Sequence, residues 1–260
     1  MRTFFVAIMV AFFCSSCRFK LPLPGEQEDN SAFQVERYDR LQSMYLTTGD
    51  FTAIQQMETE YPLETRTLIE KVLKLGNVED PNINKKFLAY YQDSTLQTII
   101  SDAEVEFANM DDINNQLDRA FSRLRDEIPS LELPRVYAQI GSLDQSIVVG
   151  DESVGIFLDK YMGTDYPLYK RYNYTQQQRQ QMTREYIVPD CLCFYLLGLY
   201  PMKDFDSQPQ RARDLHMGRV MWVCNYLLDK KFFKTPFVDE ADRYVRQNKV
   251  AVKDLLSAPV

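Results

Sequence analysis

A single histidine, His216, stands in 260 residues, and that scarcity removes more chemistry than any motif adds. A HExxH zinc helix needs two histidines one turn apart. A Cys2His2 zinc centre needs two as well, and a Cys3His centre would have to gather His216 and three thiols at one point. A Ser-His-Asp or Cys-His nucleophile would have to recruit His216 itself, which lies in the helical pattern RDLHMGRVMWVCNYLL. Neither GxxxxGKS/T nor GxGxxG occurs, so no phosphate-cradling loop is indicated. Past the first 13 residues no apolar run reaches the roughly 20 residues that cross a bilayer. Basic residues are outnumbered, 30 against 37 acidic, for a net charge of −7. Such a chain repels phosphate backbones, which argues against nucleic acid as a partner. Arg211 and Arg213 read as solvated surface charge, not as a basic stripe. Carboxylate pairs for glycoside hydrolysis are too many, and their spacing selects none. No cofactor is indicated.

What remains is the composition of an ordinary globular protein, 45% hydrophobic and 26% charged, preceded by an export signal. Residues 1–17 read MRTFFVAIMVAFFCSSC. Arg2 supplies positive charge, Phe4 to Phe13 is an uninterrupted apolar run of signal length, and Ser15 and Ser16 precede Cys17. The junction resembles a lipobox, with Cys14 standing where leucine is usual. That resemblance implies cleavage after Ser16 and acylation of Cys17, palmitate included. Acyl chains contribute about 0.8 kcal/mol per buried CH2, so several hold a protein on a membrane. Residues 17–32 then form a tether, broken by Pro22, Pro24 and Gly25 and kept in water by Glu26, Glu28 and Asp29. Arg18, Phe19 and Lys20 follow the cysteine, where surface-exported lipoproteins of the Bacteroidetes often carry acids. This favours a periplasm-facing position. Residues 33–260 are expected to be one domain, large enough to bury roughly 70–75% of its unfolded surface. Cys191, Cys193 and Cys224 remain; they are buried small apolar residues, or one of the first two pairs with Cys224 in an oxidising compartment.

Apolar spacing predicts helices over Arg37 to Leu46 and Phe51 to Tyr61, split by Thr47-Thr48-Gly49-Asp50. One long helix is expected over 93–128, its apolar face formed by Met110, Ile113, Leu117, Phe121, Leu124 and Ile128. Asp93-Ser94-Thr95 reads as an N-cap, and also resembles a short O-glycosylation acceptor of Bacteroidetes envelope proteins. After Pro134, Val136–Ile140, Gln145–Val149 and Val154–Leu158 read as short strands of a small antiparallel sheet. A tyrosine-rich stretch follows, 159–174. Helices return over 176–199, 211–231 and 237–256. The expected class is α+β: a mostly helical single domain with a small central antiparallel sheet.

Four stretches carry a family resemblance: Asn115–Phe121, Leu133–Tyr137, Gln145–Val149, and Gly155-Ile156-Phe157-Leu158-Asp159-Lys160-Tyr161-Met162-Gly163 continuing to Tyr169. With the lipobox they resemble the gliding-motility lipoprotein GldB family of the Bacteroidetes. The resemblance implies an envelope lipoprotein that works with protein partners of gliding or secretion machinery. The order of strands followed by a helix over 183–199 is similar to zincin peptidases, here degenerate because REYIVPDCLCFYLLGLY has no histidine. Three functions compete. The first is a non-catalytic interaction protein. The second is a hydrolase with an atypical cleft between the sheet and the 183–199 helix, for which Asp159, Tyr161, Asp190 and His216 are the candidates. The third is a glycan or peptidoglycan binder that stacks sugars on the tyrosine-rich 159–174 stretch, with Tyr166 and Tyr169 the two residues named for replacement by alanine.

Overall fold

The computed structural model describes residues 33–258. The expected export signal, Cys17 and the expected tether lie outside the described residues.

The first helices stop where their capping chemistry says they should. Helix α1 (Tyr38–Thr48) ends at Gly49, whose φ of 73° lets its N–H reach back to the Tyr45 carbonyl. Asp50 then caps α2 (Phe51–Glu60) by accepting from the Thr52 and Ala53 amides. Pro62 opens α3 (Pro62–Arg66), which continues as a π-helical turn over Thr67–Val72. After α4 (Ile83–Tyr90), Asp93 caps α5 (Ser94–Glu106), taking the Thr95 amide at 2.8 Å. The N-cap reading of Asp93 therefore holds.

The long helix expected over 93–128 is two helices. Helix α6 (Asp111–Glu127) starts afresh, with Ile113, Leu117, Phe121 and Leu124 buried as the spacing predicts. The break at Phe107–Met110 is held from far along the chain. The Arg184 guanidinium donates to the carbonyls of Glu106 (3.0 Å) and Asn109 (2.6 Å) and grips the Asp112 carboxylate. Those carbonyls would otherwise serve a continuous helix.

The sheet has β1 (Arg135–Gln139), β2 (Ile147–Val149) and β3 (Ser153–Phe157) in the spatial order β1-β3-β2. It is mixed, which corrects the antiparallel expectation: β2 and β3 form a hairpin, but β3 lies parallel to β1, with Tyr137 opposite Gly155. The reason is strand order: β3 reverses against β2 in the hairpin and lies between β2 and β1, so it runs with β1. Val154, Gly155, Ile156 and Phe157 are all buried, and a strand covered on both faces belongs in the centre. Gly155 is required there, because a Cβ would stand 2.5 Å from the Tyr137 ring and 2.6 Å from Gln139 Nε2. The outer edge of β1 is covered by the start of the domain, where the Glu36 amide donates to the Val136 carbonyl and the Glu36 carbonyl accepts from the Ala138 amide.

Short helices α7 (Pro167–Arg171) and α8 (Gln176–Arg179) follow the sheet. Helix α9 (Ile187–Leu199) packs on β2 and β3, with Pro189 in its first turn. Helix α10 (Gln210–Leu228) crosses both α9 and α11 (Pro236–Asn248), and α12 (Val252–Ser257) closes the domain. The expected 237–256 helix is thus broken at Lys249, which adopts a φ of 53°. The class is α+β and mostly helical.

Candidate functional site

Of the four candidate residues, two are joined by a hydrogen bond, Tyr161 and Asp190. Asp159 follows β3 in a 3-10 turn (Leu158–Lys160) and is fully buried. Its carboxylate accepts from the Gly141 amide at 2.7 Å and the Leu143 amide at 2.8 Å. Burial pushes its pKa up, against the opposing pull of those amides and of Lys160. Its own carbonyl accepts from the Tyr169 hydroxyl at 2.7 Å. Leu143 has a φ of 67°, a conformation that is costly for a branched side chain. Lys160 Nζ donates to the Leu143 carbonyl at 3.0 Å and to the Tyr174 hydroxyl at 2.9 Å, and Tyr174 also donates to that carbonyl. Gln42 spans the neighbouring backbone, accepting from the Ile140 amide and donating to the Ile140 carbonyl, while Tyr91 donates to the Ile140 and Gly141 carbonyls. Asp159 therefore braces the loop from β1 to β2, and that loop is satisfied from four directions.

Tyr161 and Asp190 form the one direct contact among the candidates. The buried Tyr161 hydroxyl donates to Asp190 Oδ2 at 2.9 Å, from the stretch after β3 to the first turn of α9. Burial raises the Asp190 carboxyl to about 7, with the Tyr161 hydrogen bond pulling the other way. Burial first, then the neighbouring Asp190 charge, holds the Tyr161 hydroxyl well above its ordinary value. A carboxyl that titrates near neutrality can exchange protons, but here it faces a phenol that stays protonated. Cys191 beside it is pushed up by burial as well.

His216 is buried on α10, its pKa lowered by burial and by Arg219. Among the described residues no hydrogen bond joins it to Asp159, Tyr161 or Asp190. Two surface depressions lie elsewhere, one of about 270 Å3 lined by Glu70, Lys74, Gly76 and Asn77. The other, of about 170 Å3, is lined in part by Asp112, Arg184 and Lys230. Among the described residues no group of three or more His, Cys, Asp or Glu side chains comes together to hold a metal ion. Cys191, Cys193 and Cys224 are buried free thiols.

The sugar-stacking expectation is corrected at its two named residues. Tyr169 is fully buried and Tyr166 is 9% exposed, so neither offers a ring face to a ligand. Tyr166 donates to Asp102 at 2.9 Å, and Tyr169 both donates to Asp159 and accepts from the Met162 amide. Apolar ring area and a polar tip make tyrosine suited to such internal struts. Sequence reasoning missed Gln42, Tyr91, Lys160 and Tyr174 in the brace; Gln42 meets its partner across 98 positions, and no local pattern marks that.

The family model described as "Gliding motility protein GldB" matches residues 25–233, which covers every element up to α10 and leaves α11 and α12 beyond the match. No curated protein and no solved structure matches the chain, so the zincin-like order of elements rests on the sequence reading alone. No helix among the described residues is long and apolar enough to cross a membrane.

Proposed function

The chain belongs to the gliding motility protein GldB family, and from that premise we propose that it is a lipid-anchored, periplasm-facing scaffold that holds envelope proteins together and performs no chemistry of its own. The observation that carries this reading is the use made of its reactive-looking side chains. Asp159 is consumed by two backbone amides, Tyr161 and Asp190 by each other, and Tyr166 and Tyr169 by internal partners. A residue that binds or transforms a ligand needs unspent hydrogen-bonding capacity facing solvent. The membrane partner in this reading is reached through acyl chains on Cys17, and no cofactor is needed.

Affinity isolation of the intact lipoprotein from its own envelope tests the proposal. The expected result is a reproducible set of co-purifying envelope proteins, lost when Cys17→Ala releases the chain from the membrane fraction. A purified preparation that hydrolyses peptide or glycosidic bonds, with the rate abolished by Asp190→Asn, would overturn it. Asp190 is the residue to replace because burial lifts its carboxyl to about 7, a value suited to an acid or base.

A further inference from the structure

Strand β2 is an edge of the sheet, with β3 on one side and, among the described residues, no strand on the other. In its pairing with β3, Ser146 faces Phe157, Ile147 faces Ile156, Val148 faces Gly155, and Val149 faces Val154. The Phe157 amide donates to the Ser146 carbonyl and the Gly150 amide to the Ser153 carbonyl. Hydrogen-bonded positions alternate along an antiparallel pair, so Val148 shares that inward set. Ile147 and Val149 therefore aim their N–H and C=O groups away from β3. Among the described residues nothing bonds to these four groups. Helix α9 meets β2 on the face of the sheet, where a Cβ on Gly198 would stand 3.2 Å from Val149 Cγ1; Ile147 is buried and Val149 is exposed. Beside Val149, α9 presents Phe194, Gly198 and Leu199 to solvent.

Charge selects the occupant. Asp144 precedes the strand and Asp151 and Glu152 follow it, all exposed and without an ion pair among the described residues. A second copy adding its own β2 in antiparallel fashion would centre on Val148. Asp151 and Glu152 lie in the hairpin turn closed by the Gly150 amide on the Ser153 carbonyl, so an antiparallel copy brings its Asp144 end toward the acidic turn of the other, and like charges brought together across strands are destabilising. Acids at the ends of an edge are a device against self-pairing, and they favour a strand with basic flanks.

Resting on the scaffold reading, we propose that the open edge of β2 docks an extended segment of a partner protein, apolar at its centre and lysine- or arginine-rich at its ends, as a fourth strand. Backbone bonds from Ile147 and Val149 fix its register. The exposed strip of α9 receives its inward side chains, and the acids at either end receive its basic flanks. This is strand addition to a sheet edge, in which main-chain bonds give affinity and side-chain contacts give specificity.

The test uses the purified mature chain and two labelled peptides, each with a Val-Thr-Val centre, one flanked by lysine pairs and one by glutamate pairs, followed by fluorescence anisotropy. The lysine peptide is expected to bind about tenfold or more tightly than the glutamate peptide. N-methylation of its central amides, and Val149→Pro in the protein, should each weaken binding by about tenfold, since both delete bonds at the edge and neither removes a β2–β3 bond. Asp144→Lys combined with Glu152→Lys keeps the backbone intact and should reverse the peptide preference, so the proposal stays falsifiable if the proline variant unfolds. Equal binding of methylated and unmodified peptides overturns the proposal, as does a β2-dependent homodimer of the wild type. Envelope partners retained in full by a folded Val149→Pro variant also overturn it, yet leave the scaffold reading standing. That reading falls separately, on substrate turnover.

Discussion

Asp190→Asn should remove a pH dependence that the native fold carries at the start of α9. The wild-type carboxyl sits at about 7 in the folded protein against 3.8 without its surroundings. Because the folded value is the higher one, the native state holds the proton more firmly than the unfolded state does. The resulting stability is fully present below 3.8, declines as pH rises, and is gone once pH passes about 7. A shift of about three units at 1.36 kcal/mol each is worth up to about 4 kcal/mol. Asparagine does not titrate, and its carbonyl can still accept from Tyr161. Urea unfolding of both proteins, in steps from about pH 4 to about pH 8, reads the difference directly. The variant should gain on the wild type by several kcal/mol over that range, with nearly all of the change at or below neutrality. Tyr161→Phe should move the wild-type curve further up in pH, because the hydroxyl it deletes favours the ionised carboxylate. Stability curves for wild type and Asp190→Asn that run parallel within about 1 kcal/mol would refute the reasoning, since a one-unit shift already carries more than that.

Two other perturbations test how the sheet is built. Gly155→Ala places a methyl 2.5 Å from the buried Tyr137 ring and should cost about 1–3 kcal/mol in thermal or chemical unfolding; a neutral result would mean that Tyr137 can withdraw. Asp159→Ala strands the Gly141 and Leu143 amides, at about 1–3 kcal/mol for each buried group left unsatisfied. Hydrogen exchange should then quicken at those two amides before it does in α6, and unchanged protection there would count against the brace.

Much of the fold was legible because helix signals are local. Gly49 and Asp50 mark a stop and a start within two positions, and the buried stripe of α6 follows from its spacing alone. The break between α5 and α6 was not legible, because the guanidinium that takes up its carbonyls arrives from Arg184. The sheet shows the same division. Three short strands could be placed from Val, Ile and Phe between turn residues, but parallel or antiparallel pairing depends on which strands become neighbours, and β3 meets β1 only in the assembled sheet. The candidate residues were found by chemical type. That Asp159 holds a loop instead of a substrate is decided by two amides that reach it only after the chain has folded back.

By itself, then, the sequence determined the helix ends marked by local caps such as Gly49, Asp50 and Asp93, which helix faces turn inward, and which reactions a chain with one imidazole has few means to perform. Those properties depend on neighbours within a turn or two. Tertiary structure alone decided the mixed sheet, the internal use of the tyrosines and the open edge of β2. Each of these rests on backbone groups distant in sequence finding, or failing to find, a hydrogen-bond partner.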